Sequence, residues 1–216
     1  MYVKDKMSKN LCTVTADTII SEALEKMQAN NFHRIPVIDK DNHLVGLLTE
    51  GLINKDNNNS SLSVYELNYL LNKLKVKDVM RKKEDVLTIG EDVLLEEAAV
   101  LLREKQVGCL PVIGDDEKVV GIITHYDIFD AFIDILGYNK VGTRYVILVN
   151  EDKVGIMHNI SKCFVEANIS INNIAVYHTE RGIEVVVIAS GENSGYCGDY
   201  LKNAGYNVTS INKVGC

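Results

Sequence analysis

The chain has 216 residues with 23 Lys plus Arg against 30 Asp plus Glu, a formal charge of -7, which argues against a dedicated binder of the nucleic-acid phosphate backbone. The opening residues MYVKDKMSKN lead into no signal-like apolar stretch and no run approaches the roughly 18 to 20 apolar residues of a membrane span, so a soluble, cytoplasmic protein is expected. Its five cysteines form no CxxC pair, and read as ordinary thiols of a reducing compartment rather than as a metal site.

The sequence VKDKM at Val3 to Met7 is followed by a short strand expected around Val14. DTIISEALEKMQANN then reads as a helix opened by Asp17 as capping residue, with Ile20, Ala23, Leu24 and Met27 on one face. RIPVIDKDNHLVGLLT reads as two strands joined at Asp39 to Asn42, with Pro36 as strand opener because proline offers no N–H to a ladder. A polar turn at Asn57 to Ser61 precedes a helical pattern from Leu62, with Val64, Leu67, Leu70, Leu71 and Leu74 as its apolar stripe.

From Val76 the order begins again. VKDVM matches VKDKM at an offset of 73, whereas Ala23 pairs with Ala98, Pro36 with Pro111, Gly46 with Gly121 and Thr49 with Thr124 at 75. The second copy has its short strand around Leu87 and a helix face of Leu95, Ala98, Ala99 and Leu102, with two residues inserted between Thr88 and Ala98. Internal repeats of this kind fix architecture, and two small sheets with their helices bury their apolar faces by packing together.

Beyond Gly142 a different rhythm starts, of strand, helix, strand, strand, helix and strand, with a hairpin at Thr179 to Gly182. This βαββαβ order belongs to the ferredoxin-like class. The fold expected is therefore α/β (α+β) in four stretches: repeat 1 at 1–56, a linker with connecting helix at 57–75, repeat 2 at 76–138, and a C-terminal domain at 143–216.

The ordered set KDxM, helix, xPVI, acidic turn, VGhhT (h apolar) and xxD, present twice, resembles a cystathionine-β-synthase (CBS) repeat, and the two together resemble a CBS pair, or Bateman module. The resemblance implies two symmetry-related clefts for an adenosine-containing ligand such as AMP, ADP, ATP or S-adenosylmethionine. In that family the acid ending GhhTxxD holds the ribose hydroxyls, a role suited to a carboxylate with two acceptor oxygens, and the threonine before it meets phosphate. GIITHYD supplies Thr124 and Asp127, whereas GLLTEGL supplies Thr49 but has Leu52 in place of the acid. The implied nucleotide site thus comprises Thr124 and Asp127 with Ser8, Cys12, Phe32, His33, Arg34 and Ile35 opposite. A weaker cleft rests on Thr49 with Val107, Gly108 and Leu110. The plainer alternative gives Asp127 only the task of capping its own helix. Asn72, Lys73 and Lys75 are further candidates for a phosphate contact, or simple solvated residues.

The C-terminal stretch resembles an ACT domain, which implies an amino-acid or small-metabolite site at Asp152, Gly155, Ser170 and Ile171, or a domain that only dimerises. The whole chain is similar to the acetoin-utilisation B-type proteins. Motifs GxxxxGK[ST], GxSxG and HExxH are absent, so no enzyme, catalytic residue, metal or catalytic cofactor is expected. Two functions remain open: a ligand-responsive regulator, homodimeric through its CBS or ACT domains and acting on an unknown protein target, or an oligomeric scaffold with vestigial clefts.

Overall fold

The structure, a computed structural model, describes residues 1–57, 71–151, 153–191 and 197–215, without the side chains of 54–57. It divides into two compact units, Met1–Ile128 and Phe129–Cys216.

The first unit holds helices α1 (Val3–Lys6), α2 (Ile20–Asn30), α3 (Glu50–Asn57), α4 (Val76–Val79) and α5 (Leu95–Glu104), with α6 (His125–Ile135) beginning in it. Its strands are β1 (Arg34–Ile38), β2 (Leu44–Thr49), β3 (Arg81–Lys82), β4 (Ile89–Gly90), β5 (Cys109–Ile113) and β6 (Val119–Thr124). The duplicated sequence gives a duplicated backbone. In the antiparallel hairpins β1–β2 and β5–β6, Pro36 faces Leu47 and Pro111 faces Ile122. Left-handed residues recur in register at Asn31 and Gln106 and at Asn42 and Glu117.

The opening segment of each repeat joins the other repeat. Ser8 exchanges backbone hydrogen bonds with Ile122, and Arg81 of β3 pairs with Leu47 of β2. Val3 and Lys4 donate to the carbonyls of Val93 and Glu91, as Val76 and Lys77 donate to Thr18 and Ala16. The crossings explain the shared glycines. A Cβ on Gly46 would strike the Arg81 carbonyl oxygen and sit 2.7 Å from Met80 Sδ, and one on Gly121 would strike Met7 Sδ. The methionine of each KDxM motif therefore lies across the glycine of the other repeat's VGhhT motif.

Several sequence expectations shift by small amounts. Val14 makes a single parallel bridge to Val37, and its counterpart is Ile89 in β4, parallel to Val112, rather than Leu87. The two extra residues consequently fall between Arg81 and Ile89, where the chain makes a 3-10 turn at Lys83–Asp85, and not after Thr88. Asp17 does not cap α2, whose cap position is Ile19 without a side-chain bond. The approach to α2 is tied instead to the crossing segment, Ile20 donating to Leu74 and Asp17 accepting from Lys75 and Lys77 at 3.0 Å. Both ammonium groups draw the Asp17 carboxyl below its ordinary pKa. Val64, Leu67 and Leu70 of the expected connecting helix lie outside the described residues. Leu71 and Leu74 do pack on the core formed by Val14, Ile20, Met27, Ile35, Leu48 and Val76.

The second unit follows the order β7 (Gly142–Val149), α7 (Ile156–Glu166), β8 (Ser170–Thr179), β9 (Gly182–Ser190), α8 (Cys197–Asn203) and β10 (Asn207–Val214). Its four antiparallel strands lie in the order β10–β7–β9–β8. Period-two alternation places Tyr145, Ile147 and Val149 of β7 with Val185, Val187 and Ala189 of β9 against Ile160, Cys163 and Phe164 of α7. Tyr145 and Phe164 meet edge to face at 5.3 Å, and both are fully buried. Burial pushes the Cys197 thiol from 9.0 up to about 12 and the Tyr145 hydroxyl from 10.0 up to about 12.

Two outcomes follow from these contacts. Gly46→Ala is expected to lower stability by about 1 to 3 kcal/mol and Gly121→Ala by less, because a methionine side chain yields where a backbone carbonyl does not; urea denaturation of both variants measures the difference. The contribution of these two groups to the second unit's stability should be fully present below pH 9.0 and be lost as pH rises toward about 12, since the folded state holds them protonated while the unfolded state releases their protons. An alkaline titration followed by circular dichroism reads this decline.

Candidate functional site

The motif GIITHYD runs from the last residues of β6 into the first turn of α6. Thr124 ends the strand at the helix-cap position, and Asp127 stands three residues on. The Thr124 backbone N–H and hydroxyl each donate to Asp127 Oδ2 at 2.7 Å, and the Asp127 N–H reaches back to Thr124 Oγ1 at 3.5 Å. This reciprocal arrangement is a capping box with aspartate in the acid position. The remaining oxygen, Oδ1, accepts from the Ser8 hydroxyl at 3.4 Å, and Ser8 is held there by its backbone exchange with Ile122. The segment exchange thus brings a residue of repeat 1 to the acid of repeat 2.

Above Asp127 opens a cavity of about 380 Å³, within the range of small-molecule sites. Its walls include Ser8, Cys12, Phe32, His33, Arg34, Thr124 and Asp127, seven of the eight residues expected for the nucleotide site. Ile35 is absent from the walls because alternation along β1 turns its side chain into the core, where it is 0% exposed. Asn10, Tyr126 and His125 also line the cavity. The sequence reading misses Asn10 and Tyr126, although Tyr126 stands inside GIITHYD.

The second cleft, about 300 Å³, is lined by Thr49, Val107 and Gly108 as expected. Leu110 is not among its walls: it is 0% exposed in the core, as its counterpart Ile35 is. With Leu52 at the acid's position, the Thr49 hydroxyl accepts the Leu52 N–H at 3.3 Å. Beside Arg34, the charged groups here are ones that matching the two repeats does not single out: Glu50, Arg81 and Asp85, with His33 Nδ1 2.8 Å from Glu50 Oε2. His33, Arg34, Gly108 and Cys109 line both clefts. Burial raises the Cys109 thiol to about 11, against a smaller opposing pull from the Arg34 guanidinium, so it is a neutral wall.

Other candidates are placed elsewhere. Lys75 pairs with Asp17, and the Asn72 side chain accepts from the Ser21 hydroxyl at 2.8 Å; Lys73 lines neither cleft. In the second unit Asp152 lies outside the described residues. Gly155 caps α7 with φ 94°, and a Cβ added to it would meet nothing within 4 Å, while Ser170 and Ile171 begin β8 opposite Ser190 and Ala189. Among the described residues, Asp39, Asp41 and His43 form a group compact enough for a cation, and the Asp39 carboxylate already accepts the Asp41 and His43 N–H groups in its turn.

A family model described as the CBS domain matches residues 3–53 and 76–134, half of the chain. The chain belongs to the CBS-domain family. It is 34% identical over 144 residues to a CBS domain-containing protein of Dictyostelium discoideum, covering 63% of this chain and 94% of that one. It spans much less of two other curated relatives, 53% of an uncharacterised protein of Methanocaldococcus jannaschii and 23% of a homoserine O-acetyltransferase of Methanococcus vannielii. Among solved structures, CBSX2 in complex with AMP is 28% identical with TM-score 0.54, over 62% of this chain and 97% of that one. The CBS domain pair of protein MJ0100 with 5′-methylthioadenosine and S-adenosyl-L-methionine is 28% identical with TM-score 0.51, over 61% and 95%. A putative acetoin utilization protein from Vibrio cholerae is 25% identical with TM-score 0.54, over 63% and 93%. No helix among the described residues is long and apolar enough to cross a membrane.

The capping box has a consequence for the empty protein. Asp127→Ala removes the acceptor of three donors and should cost about 1 kcal/mol before any ligand is added. Asp127→Asn should recover part of it, as a comparison of urea midpoints will read.

Proposed function

We propose that the CBS pair is the sensor of a regulatory protein and takes an adenosine-containing ligand in the cleft of Thr124 and Asp127. CBS pairs are generally regulatory, non-catalytic modules, and related pairs hold AMP, 5′-methylthioadenosine and S-adenosylmethionine. The observation that carries the reading is the gathering of Ser8, Cys12, Phe32 and Arg34 from one repeat with Thr124 and Asp127 from the other around a single cavity. In this reading Asp127 uses Oδ2 to cap α6 and offers Oδ1 to the ribose hydroxyls, for which a carboxylate has lone pairs enough. The exposed rings of Phe32 and Tyr126 supply surfaces for the base, and Arg34 a cation for phosphate. The cleft on Thr49 has no acid at the position equivalent to Asp127, which is Leu52, and is the poorer nucleoside site.

The βαββαβ order of the second unit supports an ACT domain, with an amino acid or small metabolite near Gly155, Ser170 and Ile171. Phe129 and Phe132 on α6, 60% and 58% exposed, support a homodimer. The likeness to the Vibrio protein supports a place among the acetoin-utilisation B-type proteins. Ligand binding acts as a signal only by favouring one arrangement of the pair over another.

One observation favours the second reading, an oligomeric scaffold: Asp127 already has a structural task. A thermal-shift titration separates the two. Wild-type protein with AMP, ADP, ATP or S-adenosylmethionine at about 100 times the dissociation constant gains about 2.7 kcal/mol, or roughly 5 to 10 °C. Asp127→Ala, compared with its own unliganded midpoint, should lose that gain. No shift of wild type with any of the four leaves the scaffold.

A further inference from the structure

The two clefts meet at one side chain. Arg34 lines both cavities, and its guanidinium lies over Gly108, with Nη1 2.9 Å from where a Cβ would stand. Only glycine at 108 leaves room for it. Among the described residues Arg34 has no carboxylate partner, although it is exposed. Its counterpart at an offset of 75 is Cys109, whose thiol is buried and neutral, so the pair has one cation where its symmetry would provide two.

Charge makes this sharing consequential. Among the described residues Arg34 is the sole Lys or Arg lining the nucleotide cleft, where it balances Asp127. In the second cleft Arg34 and Arg81 together balance Glu50 and Asp85. Each cleft is balanced only while it holds the same guanidinium, and each turns net acidic when the guanidinium is drawn to the other side. Arginine grips phosphate oxygens with paired N–H groups, and a grip of this kind fixes the planar group on one ligand at a time.

We infer that Arg34 is a cation shared by the two clefts, so that a phosphate-bearing ligand in the nucleotide cleft lowers the affinity of the second cleft for anions. The second cleft is accordingly a site for a compact phosphate-type anion, held by Arg81 and, when the nucleotide cleft does not claim it, Arg34. By linkage the effect is reciprocal: an anion in the second cleft weakens a nucleoside diphosphate and spares a nucleoside that has no phosphate. The inference rests on the nucleotide reading above.

Calorimetric titration of the full chain with adenosine, ADP and inorganic pyrophosphate tests it. Wild type should bind pyrophosphate at least about fivefold more weakly when saturated with ADP, with little change when saturated with adenosine. Arg34→Gln should weaken ADP and pyrophosphate by about tenfold each and leave adenosine unchanged. Arg81→Gln should weaken pyrophosphate alone, which locates that anion in the second cleft. Independent binding of ADP and pyrophosphate, loss of only one of them in Arg34→Gln, or an Arg81→Gln effect on both or on neither would overturn the sharing while leaving the nucleotide site intact. Failure of wild type to bind adenosine and ADP overturns the nucleotide reading, and the sharing with it.

Discussion

Everything in the first unit depends on the exchange of opening segments between repeats. The paired N–H and C=O groups of Ser8 with Ile122, and of Arg81 with Leu47, tie each repeat's sheet to the other repeat, by an isolated bridge in one case and by strand β3 in the other. An edge strand left without its partner would expose a row of unpaired backbone groups. The exchange covers these edges, sets Met7 and Met80 across the two glycines, and brings Ser8 to the acid of the other repeat. Cleft walls drawn from both repeats are therefore a direct product of how the sheets are completed.

The same crossing shows why so much is legible in the sequence. The offset of 75 pairs residues that occupy equivalent backbone positions, down to the left-handed residues at the turns. Thr124 and Asp127 stand out because an ordered motif carries them into one turn of helix. The insertion escapes correct placement for a physical reason: the sequence allows a two-residue slip anywhere between the matched blocks, and only hydrogen bonding assigns it to the turn at Lys83–Asp85. Asp17 reads as a cap from local sequence alone, whereas Lys75 and Lys77, far along the chain, claim it.

The clefts are less legible than the fold, because their charge comes from residues that break the repeat. Arg34 stands opposite a cysteine, and Arg81 opposite Ser8. Positions that differ between copies escape a search for matches, yet they are where two nearly symmetric clefts acquire unlike chemistry. Ile35 and Leu110 illustrate the converse, since adjacency to a site residue along a strand means pointing to the opposite face.

The exchanged segments also impose an order on folding. Val3 and Ser8 are made before their backbone partners, Val93 and Ile122. The opening segment of repeat 1 must wait for this pairing until most of the second repeat has been synthesised. Contacts of such sequence separation raise the entropic cost of closure and slow the search for the native state. Acquisition of the first unit is thus a late and cooperative event, in which neither repeat has a finished sheet of its own to fold to.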